Sequence, residues 1–157
     1  VLIWKGKKME IKIVTQYKEQ FLDLLLLADE QLSMIEQYLQ RGTMFVLYDK
    51  NIAVSICVVT KESYGYEIKN MVTRVDFQRK GYGKKLLEHI FDVYGKIGNV
   101  LFVGTGESIA TMSFYESCGF IFSHKVKNFF IEHYDHPIIE EGVQLVDMIY
   151  FKKEFST

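Results

Sequence analysis

The sequence predicts an α+β chain built on a mixed, mostly antiparallel sheet of about 6–7 strands with a central parallel βαβ pair. Apolar runs between residues 43 and 73 are separated by short polar turns, as in an antiparallel meander. A helix-period pattern after Gly83 leads into a short, wholly apolar run at residues 100–103, which is the layout of a parallel crossover. Two further strand-like runs, residues 120–126 and 143–152, read as a closing hairpin.

The elements follow in order. Residues 9–14 alternate apolar and polar and read as a strand. Thr15 is placed to cap a helix running to about Ala28, whose Phe21, Leu22, Leu24, Leu25 and Leu27 are too many for one narrow stripe. Asp29 is placed to cap a second helix to about Gln40, with Leu32, Ile35 and Leu39 on one face and Gly42 as its stop. Strands at 43–48 and 52–60 are joined by Asp49-Lys50-Asn51, and residues 62–65 turn into a strand at 66–73. The helix from Lys84 to Tyr94 presents Leu86, Leu87, Ile90, Phe91 and Tyr94 to a sheet, and Gly95 and Gly98 end it. Residues 100–103 read as a strand buried on both faces, broken by Gly104-Thr105-Gly106. A helix over 108–118 ends at Gly119, and the long aromatic connection 128–142, which holds Pro137, has room for a short helix.

At 157 residues, 48% apolar and 25% charged, the chain has the length and composition of one globular domain. Residues 1–8, ahead of Met9, are set aside as an upstream or vector-derived segment, and residues 9–157 are expected to form that domain. A net charge of −1 argues against general nucleic-acid binding. Apolar runs such as Leu24 to Ala28 fall far short of the ~20 residues a membrane helix needs, and no signal peptide is visible. Cys57 and Cys118 make no disulfide framework and point to a reducing, cytoplasmic setting.

Chemistry concentrates at Gln78-Arg79-Lys80-Gly81-Tyr82-Gly83, between a strand and a helix. The first N–H groups of a helix have no partner inside it, and the helix dipole adds partial positive charge, so such a turn is an anion site. Gly81 and Gly83 allow close approach, and Arg79, Lys80, Lys84 and Lys85 add charge, which points to a diphosphate. The nucleotide-hydrolase loop is excluded because Lys85 stands where Ser or Thr is required. The dinucleotide fingerprint is excluded because Leu86 stands in place of its third glycine. The plainer reading is a tight connection with solvated basic residues.

Gln78-x-x-Gly81-x-Gly83 resembles the acetyl-CoA signature of the GNAT acetyltransferases. Met71-Val72-Thr73 falls where that family has a strand end, and Phe114-Tyr115-Glu116-Ser117-Cys118-Gly119-Phe120 is similar to its downstream helix end. The resemblance covers roughly residues 9–152 and implies helices on both faces of the sheet. It implies an N-acetyltransferase that uses acetyl-CoA as donor and a primary amine, small molecule or peptide, as acceptor by direct attack.

The donor's pantetheine arm would pair with the backbone of Met71, Val72 and Thr73. Its diphosphate would lie on Gln78, Arg79, Lys80, Gly81, Tyr82, Gly83 and Lys84. Ser108 stands where the family commonly has an asparagine touching that arm. Tyr115 resembles the general acid, against a plain packing role, and Glu67 the general base, against a salt-bridged strand residue. Glu30, Met34, Glu36 and Tyr38 become acceptor-side candidates, with Asn70, Tyr64 and Tyr66 lining the same cleft. Glu132, Tyr134 and Glu140 would receive a cationic amine. Exposed closing strands leave a homodimer open.

Other readings are carried too: a catalytically inactive CoA-binding regulatory module, and a nucleotide-phosphate binder of another fold. Cys118 offers an acyl-cysteine route, without a predictable activating base. His133-Tyr134-Asp135-His136, near Glu140, Glu141 and Asp147, invites a metal reading. The histidine spacing and the irregular segment favour a polar loop over the cleft, so no metal site is expected.

Overall fold

The computed structural model describes residues 2–4, 8–98 and 100–155. Its elements run β1 (Leu2–Trp4), β2 (Met9–Val14), a 3-10 turn (Lys18–Phe21), α1 (Leu22–Ala28), α2 (Leu32–Glu36), β3 (Thr43–Asp49), β4 (Ile52–Glu62) and β5 (Gly65–Thr73). A second 3-10 turn (Val75–Phe77) leads to α3 (Tyr82–Gly95), β6 (Val100–Thr105), α4 (Ile109–Ser117) and β7 (Ile121–Val126). Then come α5 (Phe129–His133), β8 (Ile139–Glu140), β9 (Val143–Gln144) and β10 (Met148–Glu154).

The main sheet has the order β1-β2-β3-β4-β5-β6-β10-β7. Among the described strands β5 and β6 alone pair in parallel, and α3 is their crossover. Two cores lie on its faces. On one, Leu86, Leu87 and Ile90 of α3 and Tyr115 of α4 pack with Phe45, Cys57, Ile68 and Val103. On the other, Leu24 and Leu25 of α1 and Ile35 of α2 pack with Met44, Val46, Ile56 and Val58. A small third cluster, Phe130, Ile138 and Leu145, holds the connection between β7 and β10 together.

Two irregularities position the site. β5 pairs with β6 at Tyr66–Leu101, Glu67–Phe102 and Ile68–Val103, and there the ladder stops. Gly104 and Thr105 continue against Tyr150 and Ile149 of β10, while the rest of β5 pairs with β4, so the two strands diverge. The second is a bulge: Val58 pairs with Asn70 and Val59 with Ile68, leaving Lys69 extra on β5. A bulge shifts the alternation of side chains by one. Ile68 and Met71 therefore both join the α3 core, whereas Val72 joins the α1–α2 core.

The expected meander, crossover and short helix in the aromatic connection are all present. Several details differ. Thr15 caps nothing: the first helix opens in the 3-10 turn, behind Tyr17 in a left-handed conformation. There Lys18, 5% exposed, donates to the carbonyls of Leu39, Gln40 and Gly42 at 2.9, 3.2 and 2.7 Å. Asp29 is not the cap of α2, whose preceding residue is Gln31. Gly104 does not break β6. A Cβ there would lie 2.8 Å from Met148 Sδ and 3.1 Å from Tyr150 Cε1, so glycine permits the close approach of β10. β6 is buried at Leu101 and Val103 but half-buried at Val100 and Phe102, because Phe102 meets the rings of Tyr64 and His124 on its outer side. The expected strand over 143–152 is split, its first part forming a two-stranded hairpin with β8. The segment set aside before Met9 supplies β1, paired with β2.

Candidate active site

Where β5 and β6 part, a cleft of about 820 Å³ opens. Its walls are β5 from Glu67 to Thr73, the α1–α2 corner, residues 103–106 at the end of β6, and the connection from Phe129 to Leu145. Asn70 to Thr73 have a partner strand on the β4 side only, so their other edge is a row of peptide groups facing the cleft. Gln78 Nε2 donates to Thr73 O at 3.0 Å and ties the following turn to that edge.

The turn is built on left-handed backbone at Arg79 (φ 61°) and Gly81 (φ 86°). Its first intrahelical bond runs from Lys85 N to Gly81 O at 3.1 Å, so the N–H groups of Tyr82, Gly83 and Lys84 precede the helical ladder. No heavy atom lies within 4 Å of a Cβ built at Gly81. Arg79, Lys80, Gly81 and Lys84 are exposed there. Tyr82 turns its side chain away, its hydroxyl donating to Asp49 Oδ2 at 2.5 Å, and contributes backbone alone.

Tyr115 and Glu67 reach the same cleft from separate elements. Tyr115 is 6% exposed, held edge-on between Phe114 and Phe120 at ring distances of 5.3 and 5.5 Å. Burial pushes its phenol well above the ordinary range, so it keeps its proton. Glu67 is 3% exposed. Its Oε1 accepts from the Tyr64 hydroxyl, and its Oε2 meets Lys69 Nζ at 3.1 Å and the Tyr150 hydroxyl at 3.4 Å.

Met71, Val72, Thr73 and Gln78 line the cleft, while Arg79 to Lys84 form the turn at its end. Ser108 does not line it; the side chain is buried with Oγ 3.5 Å from Glu141 Oε1, and Thr111 faces the cleft instead. Of the residues expected on the acceptor side, Glu30, Met34, Tyr38, Asn70, Tyr134 and Glu140 line the cleft, whereas Glu36 and Glu132 do not. Tyr66 packs on Tyr94 at 4.6 Å in the α3 core. Cys118 ends α4 outside the cleft, and Cys57 is buried with its thiol pushed up by desolvation. Among the described residues no group of three or more His, Cys, Asp and Glu could hold a metal ion, and no helix is long and apolar enough to cross a membrane. His133 stacks on Phe129 at 4.3 Å, and His136 pairs with Asp135 at 2.7 Å.

Sequence reasoning missed Asp29, Arg41 and Tyr150 as cleft residues. Asp29 accepts from Tyr38 at 2.9 Å and from Tyr134 at 2.8 Å. Burial raises its carboxyl above the usual range even though both hydrogen bonds pull the other way. Glu140 is raised too, by burial first and then by the charges of Glu141 and Glu30. The signal for Asp29 was its partners, which lie 9 and 105 residues away and leave no local pattern.

A mixed sheet split at its parallel pair, with a glycine turn at the end of the split, sets a free strand edge beside an anion-binding turn. The chain belongs to the GNAT acetyltransferase family: the model of the acetyltransferase (GNAT) domain matches residues 40–122. It is 32% identical over 146 residues to an uncharacterised N-acetyltransferase, YvbK, of Bacillus subtilis strain 168, covering 91% of this chain and 94% of that one. The crystal structure of a GNAT family acetyltransferase from Elizabethkingia anophelis with acetyl-CoA bound superposes with a TM-score of 0.87 at 32% identity, covering 94% of this chain and 99% of the other. That of a Bacillus subtilis acetyltransferase in complex with CoA gives 0.87 at 31% identity, over 95% and 100%.

Proposed function

We propose that this protein transfers an acetyl group from acetyl-CoA to a primary amine, by direct attack within the cleft. The observation that carries the reading is the divergence of β5 from β6 beside an open left-handed turn. The residues present fit the donor. An extended arm can add to the free edge at Met71, Val72 and Thr73 as a strand would. The N–H groups and exposed cations from Gln78 to Lys84 suit a diphosphate, and the space before Gly81 leaves room for it. Relatives with acetyl-CoA or CoA bound support the same assignment.

When bound, acetyl-CoA supplies an activated acyl thioester. The chain's own groups manage the protons. An alkyl ammonium has a pKa of about 10.4 and must lose a proton before its nitrogen can attack. Glu67 is the carboxylate in the cleft to take it, directly or through a water. Tyr115, kept protonated by burial, delivers a proton at its Oη to the leaving sulfur. Ser108, held back by Glu141, has a lesser part in holding the donor. Two free thiols fit a reducing compartment such as the cytoplasm.

Thermal unfolding with acetyl-CoA, against ATP, together with thiol release over an amine panel, tests the reading. Stabilisation by acetyl-CoA and amine-dependent thiol release are expected; failure of both sinks it. Stabilisation without release would favour a CoA-binding module lacking catalysis. One observation favours that second reading: both Glu67 oxygens already have partners.

A further inference from the structure

The acceptor side of the cleft is more built than simple amine binding requires. Asp29, Glu30, Glu67 and Glu140 line it. Its lining cations are spoken for: Lys69 pairs with Glu67 at 3.1 Å and Arg41 with Glu62 at 2.9 Å. Asp29, Glu30 and Glu140 have no cation within ion-pair distance among the described residues. They are too spread to share a metal ion, which fits an extended organic cation better.

Asn70 supplies an independent sign. It is 3% exposed and lies on the cleft wall beside Tyr38. Its Nδ2 donates to Leu25 O and to Tyr38 Oη, each at 3.1 Å. Leu25 O can only accept, and Tyr38 Oη gives its own proton to Asp29, so both partners require the amide nitrogen. The amide orientation is thereby determined, and Oδ1 is left as a buried acceptor with no donor. An N–H donor on a ligand is what this corner lacks.

The cleft is also bridged. Tyr134 Oη donates to Asp29 Oδ1 at 2.8 Å, Asp135 N to Gln31 Oε1 at 2.9 Å, and Gln31 Nε2 to His133 O at 3.3 Å. These bonds clasp the β7–β10 connection to the α1–α2 corner. A polypeptide lying along the cleft would have to break them, whereas a small molecule need not.

We propose that the acceptor is a small amine carrying a second cationic group. Its reacting nitrogen faces Glu67, and the second ammonium seats on the wall made by Asp29, Glu30 and Glu140, with Asn70 Oδ1 beside it. This rests on the amine-acetyltransfer reading above. The test is kcat/KM, by thiol release with saturating acetyl-CoA, for 1,3-diaminopropane, 1,4-diaminobutane, n-butylamine and a blocked lysine peptide. The best diamine should exceed n-butylamine and the peptide by about tenfold or more, the order expected of one charge-assisted hydrogen bond. Asp29→Asn should bring that ratio toward unity, and Glu140→Gln gives the same readout should the first variant unfold early. Equal use of monoamine, diamine and peptide would overturn the inference and leave amine acetylation standing. An unchanged ratio in both variants would do the same. No amine turnover, with acetyl-CoA still stabilising the fold, would overturn both.

Discussion

The two ends of the cleft are made differently. At the end proposed for the donor, from Met71 to Lys84, one continuous stretch offers backbone: a strand edge, a left-handed turn and the start of α3. At the end proposed for the acceptor, side chains from α1–α2, β5 and the β7–β10 connection meet around Asp29, whose two tyrosine partners lie 9 and 105 residues further along the chain. Backbone recognition needs few particular side chains and is local. Side-chain recognition is assembled from afar and depends on burial to hold each group in place. The donor end should therefore be sensitive to changes that fill space or alter conformation, and the acceptor end to changes of charge.

The largest effect is expected where the two ends meet. Tyr115→Phe should lower kcat by about a hundredfold or more while the acetyl-CoA stabilisation persists, since proton transfer is lost and not binding. A drop below tenfold would reduce Tyr115 to a packing residue. At the donor end, Gly81→Glu places an anion in open space on a φ of 86° that suits glycine. The gain in stability from acetyl-CoA, about 2.7 kcal/mol at a hundredfold excess over its dissociation constant, should vanish in thermal unfolding. Retention of that gain would mean the donor's phosphates lie elsewhere.

Behind the cleft, Lys18→Met removes a buried ammonium from the carbonyls of Leu39, Gln40 and Gly42, in the segment between α2 and β3. A loss of about 2 kcal/mol is expected from urea unfolding, because the carbonyls are left without their donor. The smallest effect concerns pH. Asp29 has its folded-state pKa raised above 3.8 by burial, so its ionised form works against folding. Relative to Asp29→Asn, the natural protein should gain stability as pH falls through that raised value toward 3.8, and the gain should be absent at neutral pH. A difference that stays flat over this acid range would show that Asp29 titrates normally, and would weaken the contrast between the ends.

Much of the fold was legible because its patterns are local. Apolar runs between short polar turns marked β3, β4 and β5, and the spacing of Leu86, Leu87, Ile90 and Tyr94 marked α3. Errors came where a distant contact overrode local preference. Thr15 and Asp29 have capping chemistry, yet a buried Lys18 and two tyrosines decide what that region does. Gly104 has the look of a strand breaker, but β10 makes it a point of close approach. The apolar run of β5 could not reveal the bulge at Lys69, because bulges depend on the partner strand.

By itself the sequence determined the class of protein and marked the stretch proposed here for the donor. A strand, a glycine turn and a helix start are consecutive, and helix geometry alone leaves the N–H groups at that start without partners. Only the tertiary structure decided the acceptor end. Asp29 and Tyr134 meet because the β7–β10 connection folds back across the split sheet. Asn70 Oδ1 is left without a donor because Leu25 O of α1 and Tyr38 Oη both take the amide nitrogen. Charge and burial act through space, so a cavity's chemistry is set by which distant segments the sheet brings to its edge.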